Sequence, residues 1–204
     1  MPTRNVVKVY VSDSYYHVYN RGWNLTKIFV DAQDYKHFEH ILERHLSPEP
    51  LKDSKGREFR QYYPAIELKA YCLMGNHLHM LVYQRDEYAI TSLMKSVLVA
   101  YTVYFNRKYK RRGALFESTY KAVLIREDAQ LMHITRYIHL NHKSYKTWPY
   151  SSYGDYLSDD SRPYVQPNSI LELFSSKRQY EEFVSDYEEL QRERDIIKKE
   201  LSAE

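Results

Sequence analysis

The first place in this chain where side chains could do chemistry together is a pair of histidines two residues apart, His77 and His79, in the apolar run CLMGNHLHMLV over 72–82. In a β-strand alternate side chains share a face. The two imidazoles would then stand side by side while Leu78 and Met80 enter the opposite layer. Two parallel imidazoles on a rigid strand make good ligands for a divalent ion; two unrelated histidines on a polar sheet face are the plainer alternative. Two neutral imidazoles leave a metal under-ligated, so an oxygen donor is needed. Asn141 qualifies if the helix expected over 128–143 crosses the histidine face. Tyr137, four residues earlier, shares the face of that helix with Asn141 and would hold its hydroxyl near whatever the metal binds. A tyrosine at a core edge is the alternative for Tyr137, and His133, one turn earlier still, is a further candidate neighbour.

A second group is cationic. Arg107, Lys108, Lys110, Arg111 and Arg112 close an amphipathic helix. Such a run neutralises nucleic-acid phosphates or forms a solvated helix end favoured by the helix dipole. Arg21, Lys121 and Lys143 could extend the same surface. The chain also holds 22 tyrosines. Most suit core and rim positions, and those outside the core could stack unpaired bases.

The elements that must position these residues follow from periodicity. Residues 14–20 read as strand one, ended by Arg21-Gly22. Asp31 can cap a helix to about His45, with Tyr35, Phe38, Ile41 and Leu42 at helical spacing. Residues 47–64, with three prolines, form a polar loop. Strands two and three run over 66–74 and 77–83 about a Gly75-Asn76 turn. A strong amphipathic helix spans about 91–109, with Gly113 as its expected C-cap. Strand four covers 121–126 and a second helix 128–143. The aromatic loop 148–153 follows, then a last amphipathic helix marked by Tyr180, Phe183, Tyr187 and Leu190. The tail 188–204 is mostly charged. The order β-α-β-β-α-β plus a helix is that of a ferredoxin-like α+β sheet with helices on one face, strand three central or nearly so.

The 204 residues suffice for one ordinary domain with appendages, and 43% apolar with 28% charged residues marks it as globular. A net charge of +3 does not by itself imply nucleic acid. One cysteine, Cys72, excludes a disulfide framework and suits a reducing cytoplasm. Residues 1–14 lack the apolar stretch of a signal peptide, and no apolar run reaches the ~18 residues of a membrane span.

Taken together, the strand with His77-Leu78-His79 and the helix with Tyr137-Ile138-His139-Leu140-Asn141 resemble the single-tyrosine HUH transposases of bacterial insertion sequences, most of all the REP-associated tyrosine transposases. Further stretches that match are His17-Val18-Tyr19-Asn20-Arg21-Gly22, then Gly113-Ala114-Leu115-Phe116-Glu117 with Tyr120-Lys121-Ala122, then Trp148-Pro149-Tyr150-Ser151-Ser152-Tyr153. The resemblance spans roughly 15–156. It implies an HUH endonuclease domain over 1–156, including the polar insertion near 47–65, and a helical extension over 157–204. It implies Tyr137 as nucleophile, with His77, His79 and Asn141 as metal ligands. Many relatives carry proline after the asparagine, where this chain has His142, and in another branch glutamine fills the asparagine role. The implied activity is metal-dependent cleavage and rejoining of single-stranded DNA through a 5′-phosphotyrosine, in transposition or a domesticated form of it. Mg²⁺ is suggested by availability and Mn²⁺ by the two imidazoles. Expected partners are single-stranded DNA, with a hairpin-bearing inverted repeat as one form, and a second copy in a homodimer; no membrane is expected. The rival readings are a metallohydrolase on the same histidines and a non-catalytic nucleic-acid-binding domain.

Overall fold

The computed structural model describes residues 10–187. Four strands form one antiparallel sheet in the order β2-β3-β1-β4: β1 Ser14–Arg21, β2 Ile66–Met74, β3 His77–Gln84 and β4 Lys121–Ile125. Strand three is an inner strand, as the ferredoxin-like order requires. Helix α1 is Ala32–Leu46, α2 Ala89–Lys108 and α3 Asp128–His139; α4 Tyr153–Leu157 and α5 Asn168–Leu171 are short. Residues 177–187 are helical again. Of the charged tail, 188–204, and Leu190 within it, nothing further is described because they lie outside these residues.

Alternation along the strands divides the core in two. Tyr16 and Val18 of β1, Leu68 and Leu73 of β2, and Leu78, Met80 and Val82 of β3 face α1 and α2, where Phe38, Ile41, Leu42, Val97 and Tyr101 are buried against them. Each such fully buried side chain contributes about 1.5–3 kcal/mol. The other face carries Ala70, Cys72, Leu81 and Ile125 under Leu131 and Ile138 of α3, with Tyr156, Ile170, Tyr180 and Val184 from beyond. The two helices of the β-α-β-β-α-β unit, α1 and α2, therefore share one face as expected, and α3, which follows β4, covers the other. The reason is compositional: strand residues on the second face are themselves apolar along the β2 side and need a cover, which α3 and the segment after 150 provide.

Local chemistry explains the boundaries. Asp31 and Asp34 form a reciprocal capping box at the start of α1. Gly22 lies under Thr26, whose carbonyl oxygen would stand 2.1 Å from any added Cβ. That tight loop places Gly22, Ile28 and Phe29 amides on the carbonyls of Asn76 and Gly75 at 2.8–3.0 Å. The β2–β3 turn, and with it the start of the histidine strand, is thereby fixed.

Two helix ends differ from expectation. Helix α2 closes at Tyr109, and the residue that ends it is Lys110, in the left-handed region (φ 52°); Gly113, also at positive φ (87°), lies three residues further on. The Arg111 amide bonds the Asn106 carbonyl at 2.9 Å, a Schellman closure. Helix α3 stops at His139 instead of near 143. His142 stacks on Trp148 (3.8 Å, 8°), and Trp148 donates its indole N–H to the Leu73 carbonyl at 3.0 Å. This tertiary contact draws the chain off the helical path.

The segment 148–152 then runs along the outer edge of β2. Leu73 N–H donates to Tyr150 O (2.9 Å) and Ser152 N–H to Tyr71 O (3.0 Å), so this part of the edge is covered. Among the described residues no helix is long and apolar enough to cross a membrane.

Candidate active site

The second face of the sheet is a set of side chains selected by register. On β3 it presents His77 and His79; on β1 His17, Tyr19 and Arg21; on β4 Lys121 and Val123. Tyr19 pairs with His79 on one side and Lys121 on the other, and Arg21 pairs with His77. Helix α3 lies over the β2–β3 half. The β1–β4 half stays open, with Lys121 and Val123 exposed.

Tyr137 projects from α3 over the histidines. Its ring centroid is 5.3 Å from His79 and 6.0 Å from His17, and the residue is 47% exposed. Asn141 lies just past the α3 C-cap and brings Oδ1 within 2.9 Å of His77 Nε2. On the other side of the same ring, Asn76 Oδ1 is 2.7 Å from Nδ1. A neutral imidazole carries one ring proton. One ring nitrogen can donate to one of these oxygens, and the other keeps a lone pair beside the second amide. His77, His79 and Asn141 therefore suit a divalent ion by donor chemistry as well as by proximity.

His79 and His17 are both buried, their rings parallel within 21°, with His17 Nε2 2.9 Å from His79 Nδ1. Burial pushes His79 down to about 3, the charges of His17 and His77 adding to this, and pushes His17 down to about 4. Both rings are thus neutral near pH 7, which leaves ring lone pairs available.

His17 is the residue that reading the sequence missed. Its signal was present: His17-Val18-Tyr19 alternates as His77-Leu78-His79 does, but only the register shows that the two pairs share a face. His133, by contrast, turns away, with its Nδ1 2.7 Å from Arg136 and its ring 6.0 Å from Phe183.

The cations divide. Lys108 is not free for phosphate; its ammonium donates to Asp31 (2.8 Å) and Asp34 (2.7 Å), tying α2 to the cap of α1. Arg21 pairs with Glu117. Arg107, Lys110 and Arg112 are exposed, and Arg111 lies over the Phe105 ring. Lys121 stands 5.9 Å from the Tyr19 ring centroid, beside the histidines. An apolar groove of about 890 Å³ between α2 and 114–120 lies on the opposite face and belongs to a different surface.

Helix α3 is held from behind. His139, fully buried, contacts the Tyr180 hydroxyl (2.5 Å) and Ser152 Oγ (2.8 Å), and Arg136 donates to the Phe183 carbonyl (3.2 Å).

Comparison with known proteins agrees with this geometry. The family model described as "Transposase IS200 like" matches residues 56–141, the span from the polar insertion through Asn141. A solved REP-associated tyrosine transposase bound to a REP hairpin is similar in fold, with TM-score 0.55 and 14% identity over 85% of this chain and 96% of its own. A candidate transposase from Deinococcus radiodurans R1 aligns with TM-score 0.41 and 18% identity over 67% of this chain and 96% of its own. No curated protein matches the sequence significantly. The family match falls on the histidine strand, the tyrosine helix and the asparagine, so the stretch 56–141 is similar to the IS200-like transposases.

Proposed function

We propose that this chain is a transposase that cuts and rejoins single-stranded DNA through a covalent link between Tyr137 and a 5′-phosphate. The observation that carries the reading is the convergence of Tyr137, His77, His79 and Asn141 on one sheet face, where the half covered by α3 borders the open β1–β4 half. His77, His79 and Asn141 would hold Mg²⁺ or Mn²⁺, which when bound supplies Lewis-acid polarisation of the scissile phosphate.

The chain's own residues do the rest. Tyr137 attacks phosphorus through its hydroxyl oxygen and loses its proton to solvent, which its half-exposed position allows. The bond from phosphorus to the 3′-oxygen breaks, and that oxygen leaves as a hydroxyl after taking a proton. The phosphodiester is conserved as a tyrosyl ester, so an incoming 3′-hydroxyl can reverse the step without a nucleotide cofactor. Lys121 and Arg21 border the open β1–β4 half, where a strand would lie, and Arg107, Lys110, Arg111 and Arg112 would hold backbone farther along. The strand must be single, because a sheet-mounted site needs the phosphate splayed against it. The fold-similar transposase is bound to a REP hairpin, which supports a hairpin-bearing single strand as substrate. Tyr137 lies over the histidines of its own chain, which supports a site built within one copy. In this reading residues up to 156 carry the site, and the described part of the extension buttresses α3. A binding-only domain would need no such convergence.

The test is cleavage of an oligonucleotide labelled separately at each end, with Mn²⁺. The 3′-side fragment should shift to protein mass and the 5′-side fragment should end in an extendable 3′-hydroxyl. Tyr137→Phe should bind the same oligonucleotide and form no adduct, a loss of at least ~10³-fold. Free products without an adduct at any time, or an adduct on the 5′-side fragment, would overturn the assignment.

A further inference from the structure

We infer that His17 is a positioning residue: its contact with His79 Nδ1 fixes which nitrogen of His79 keeps the lone pair left for the cluster of His77, Asn141 and Tyr137. The inference rests on the metal-binding reading of that cluster. Its own basis is geometric. His17 pairs in register with Leu81, and His79 with Tyr19. His17 and His79 are thus diagonal cross-strand neighbours, a distance that long and aromatic side chains can span. They do so with ring nitrogens 2.9 Å apart and rings stacked at 5.1 Å. Tyr19 closes the stack, 5.0 Å from His17 and 5.8 Å from His79. Neither ring is more than 8% exposed, so water does not compete well for the contact.

Two neutral imidazoles at this distance share one proton, and there are two ways to do it. If His79 donates from Nδ1 to His17 Nε2, the lone pair of His79 is on Nε2, the nitrogen left to face the site. If His17 donates instead, His79 Nε2 carries the proton and cannot ligate. Cation binding at the cluster selects the first arrangement, and His17 is the acceptor that makes it available. A ligating histidine commonly donates its other N–H to a carboxylate, carbonyl or water, and loss of that partner weakens metal affinity about 10–100-fold. Here an uncharged imidazole does that work, in a buried place where a carboxylate would need a paired cation.

The test uses the full chain with His17→Leu, which fills similar space without an acceptor, and His17→Gln, whose amide oxygen can still accept. Mn²⁺ affinity is read from the electron paramagnetic resonance of the free ion, and the His79 tautomer from ¹⁵N shifts of the metal-free protein. His17→Leu should bind Mn²⁺ about 10–100-fold more weakly and change the tautomer distribution of His79. His17→Gln should recover most of the affinity, and adduct formation by His17→Leu should recover at high Mn²⁺. Equal affinity in wild type and His17→Leu, or equal losses in the two variants, would overturn the role. So would a wild-type His79 protonated at Nε2 in the presence of Mg²⁺, a measurement that does not depend on either variant folding. A wild-type chain that binds no Mn²⁺ would bring down the metal reading itself, and with it this inference.

Discussion

Two polar nodes are built against the same sheet, one at Arg162 and one at His79, and they are satisfied in different ways. At the β2 edge, Arg162 uses all five guanidinium N–H groups. Nε and one NH2 proton go to Asp155 and the other NH2 proton to Ser151 O (2.6 Å); NH1 donates to Glu39 (2.8 Å) and to the Tyr71 hydroxyl. Tyr71 in turn donates to Glu39 at 2.6 Å. One guanidinium is shared by two carboxylates and each of its N–H groups has an acceptor, so the node has no donor left to offer a ligand. The histidine node has two buried neutral rings, His17 and His79, two amide oxygens turned toward the His77 imidazole, and a half-exposed hydroxyl above. A closed network stabilises; an open one is available for chemistry. Counting charges would have picked the wrong node.

The sharpest way to break this comparison is to open the closed node. Arg162→Met leaves Asp155 and Glu39, 4% and 16% exposed at their side chains, without their shared cation. Removing one partner of a buried pair costs roughly 3–5 kcal/mol. The lower end applies, because the arginine side chain is itself 29% exposed. For a domain of this size that is a fall in Tm of roughly 6–12 °C. Differential scanning calorimetry measures it, and Mn²⁺ affinity of the folded fraction should stay as in wild type. A small change in Tm would mean that the node is not closed in the way described.

A smaller effect comes from the histidine that joins the two nodes. His139 lies two residues from Tyr137, contacts Ser152 beside the β2 edge, and is pushed down to about 3 by burial, with the Arg162 charge adding to it. Its folded value lies below the unfolded one near ~6.5. The unfolded chain therefore binds the proton more readily, and stability falls as pH drops from ~6.5 toward 3. The stabilisation is fully present above ~6.5. At pH 5 the loss from this one group is roughly 2 kcal/mol. His139→Gln cannot titrate, so its urea midpoint should drop less than that of wild type between pH 7 and pH 5. Parallel curves for the two proteins would show that His139 is not held neutral in the fold.

These contrasts also explain what could be read from the sequence. The histidine pair was legible because alternation in a strand is a local rule, and the Gly75-Asn76 turn marks where the strand begins. The Asp31 cap and the spacing of Tyr137 and Asn141 are local in the same way. The Arg162 node joins residues 39, 71, 151, 155 and 162, and no short-range pattern links them. His17 was visible as a letter but not as a neighbour, since its contact with His79 depends on the β1–β3 register. The end of α3 was set by Trp148, nine residues after the helix stops. The side of the sheet that α3 covers could only be stated as a condition. Fold order and the main site residues are local facts; closure, register and helix ends are tertiary ones.

The same contrast divides the basic run, and here the expected effect is smallest. Lys108 belongs to the closed kind: it is 21% exposed and held by Asp31 and Asp34, the latter fully buried. Arg107, Lys110 and Arg112 are exposed beyond it. Three released phosphate contacts change the slope of log K against log salt for a single strand by about 2. The triple change Arg107→Gln, Lys110→Asn and Arg112→Gln should flatten the slope by that amount and weaken binding about tenfold at low salt, with no loss of Tm. Asparagine is chosen at 110 because that residue is left-handed, with φ 52°, a conformation asparagine tolerates. Lys108→Met should do the reverse, lowering Tm while leaving the salt slope nearly unchanged. Fluorescence anisotropy with a labelled single strand at several salt concentrations separates the two. If Lys108→Met flattens the slope as strongly as the triple change, the whole run faces DNA, and the pairing of Lys108 with Asp31 and Asp34 must open when the strand binds.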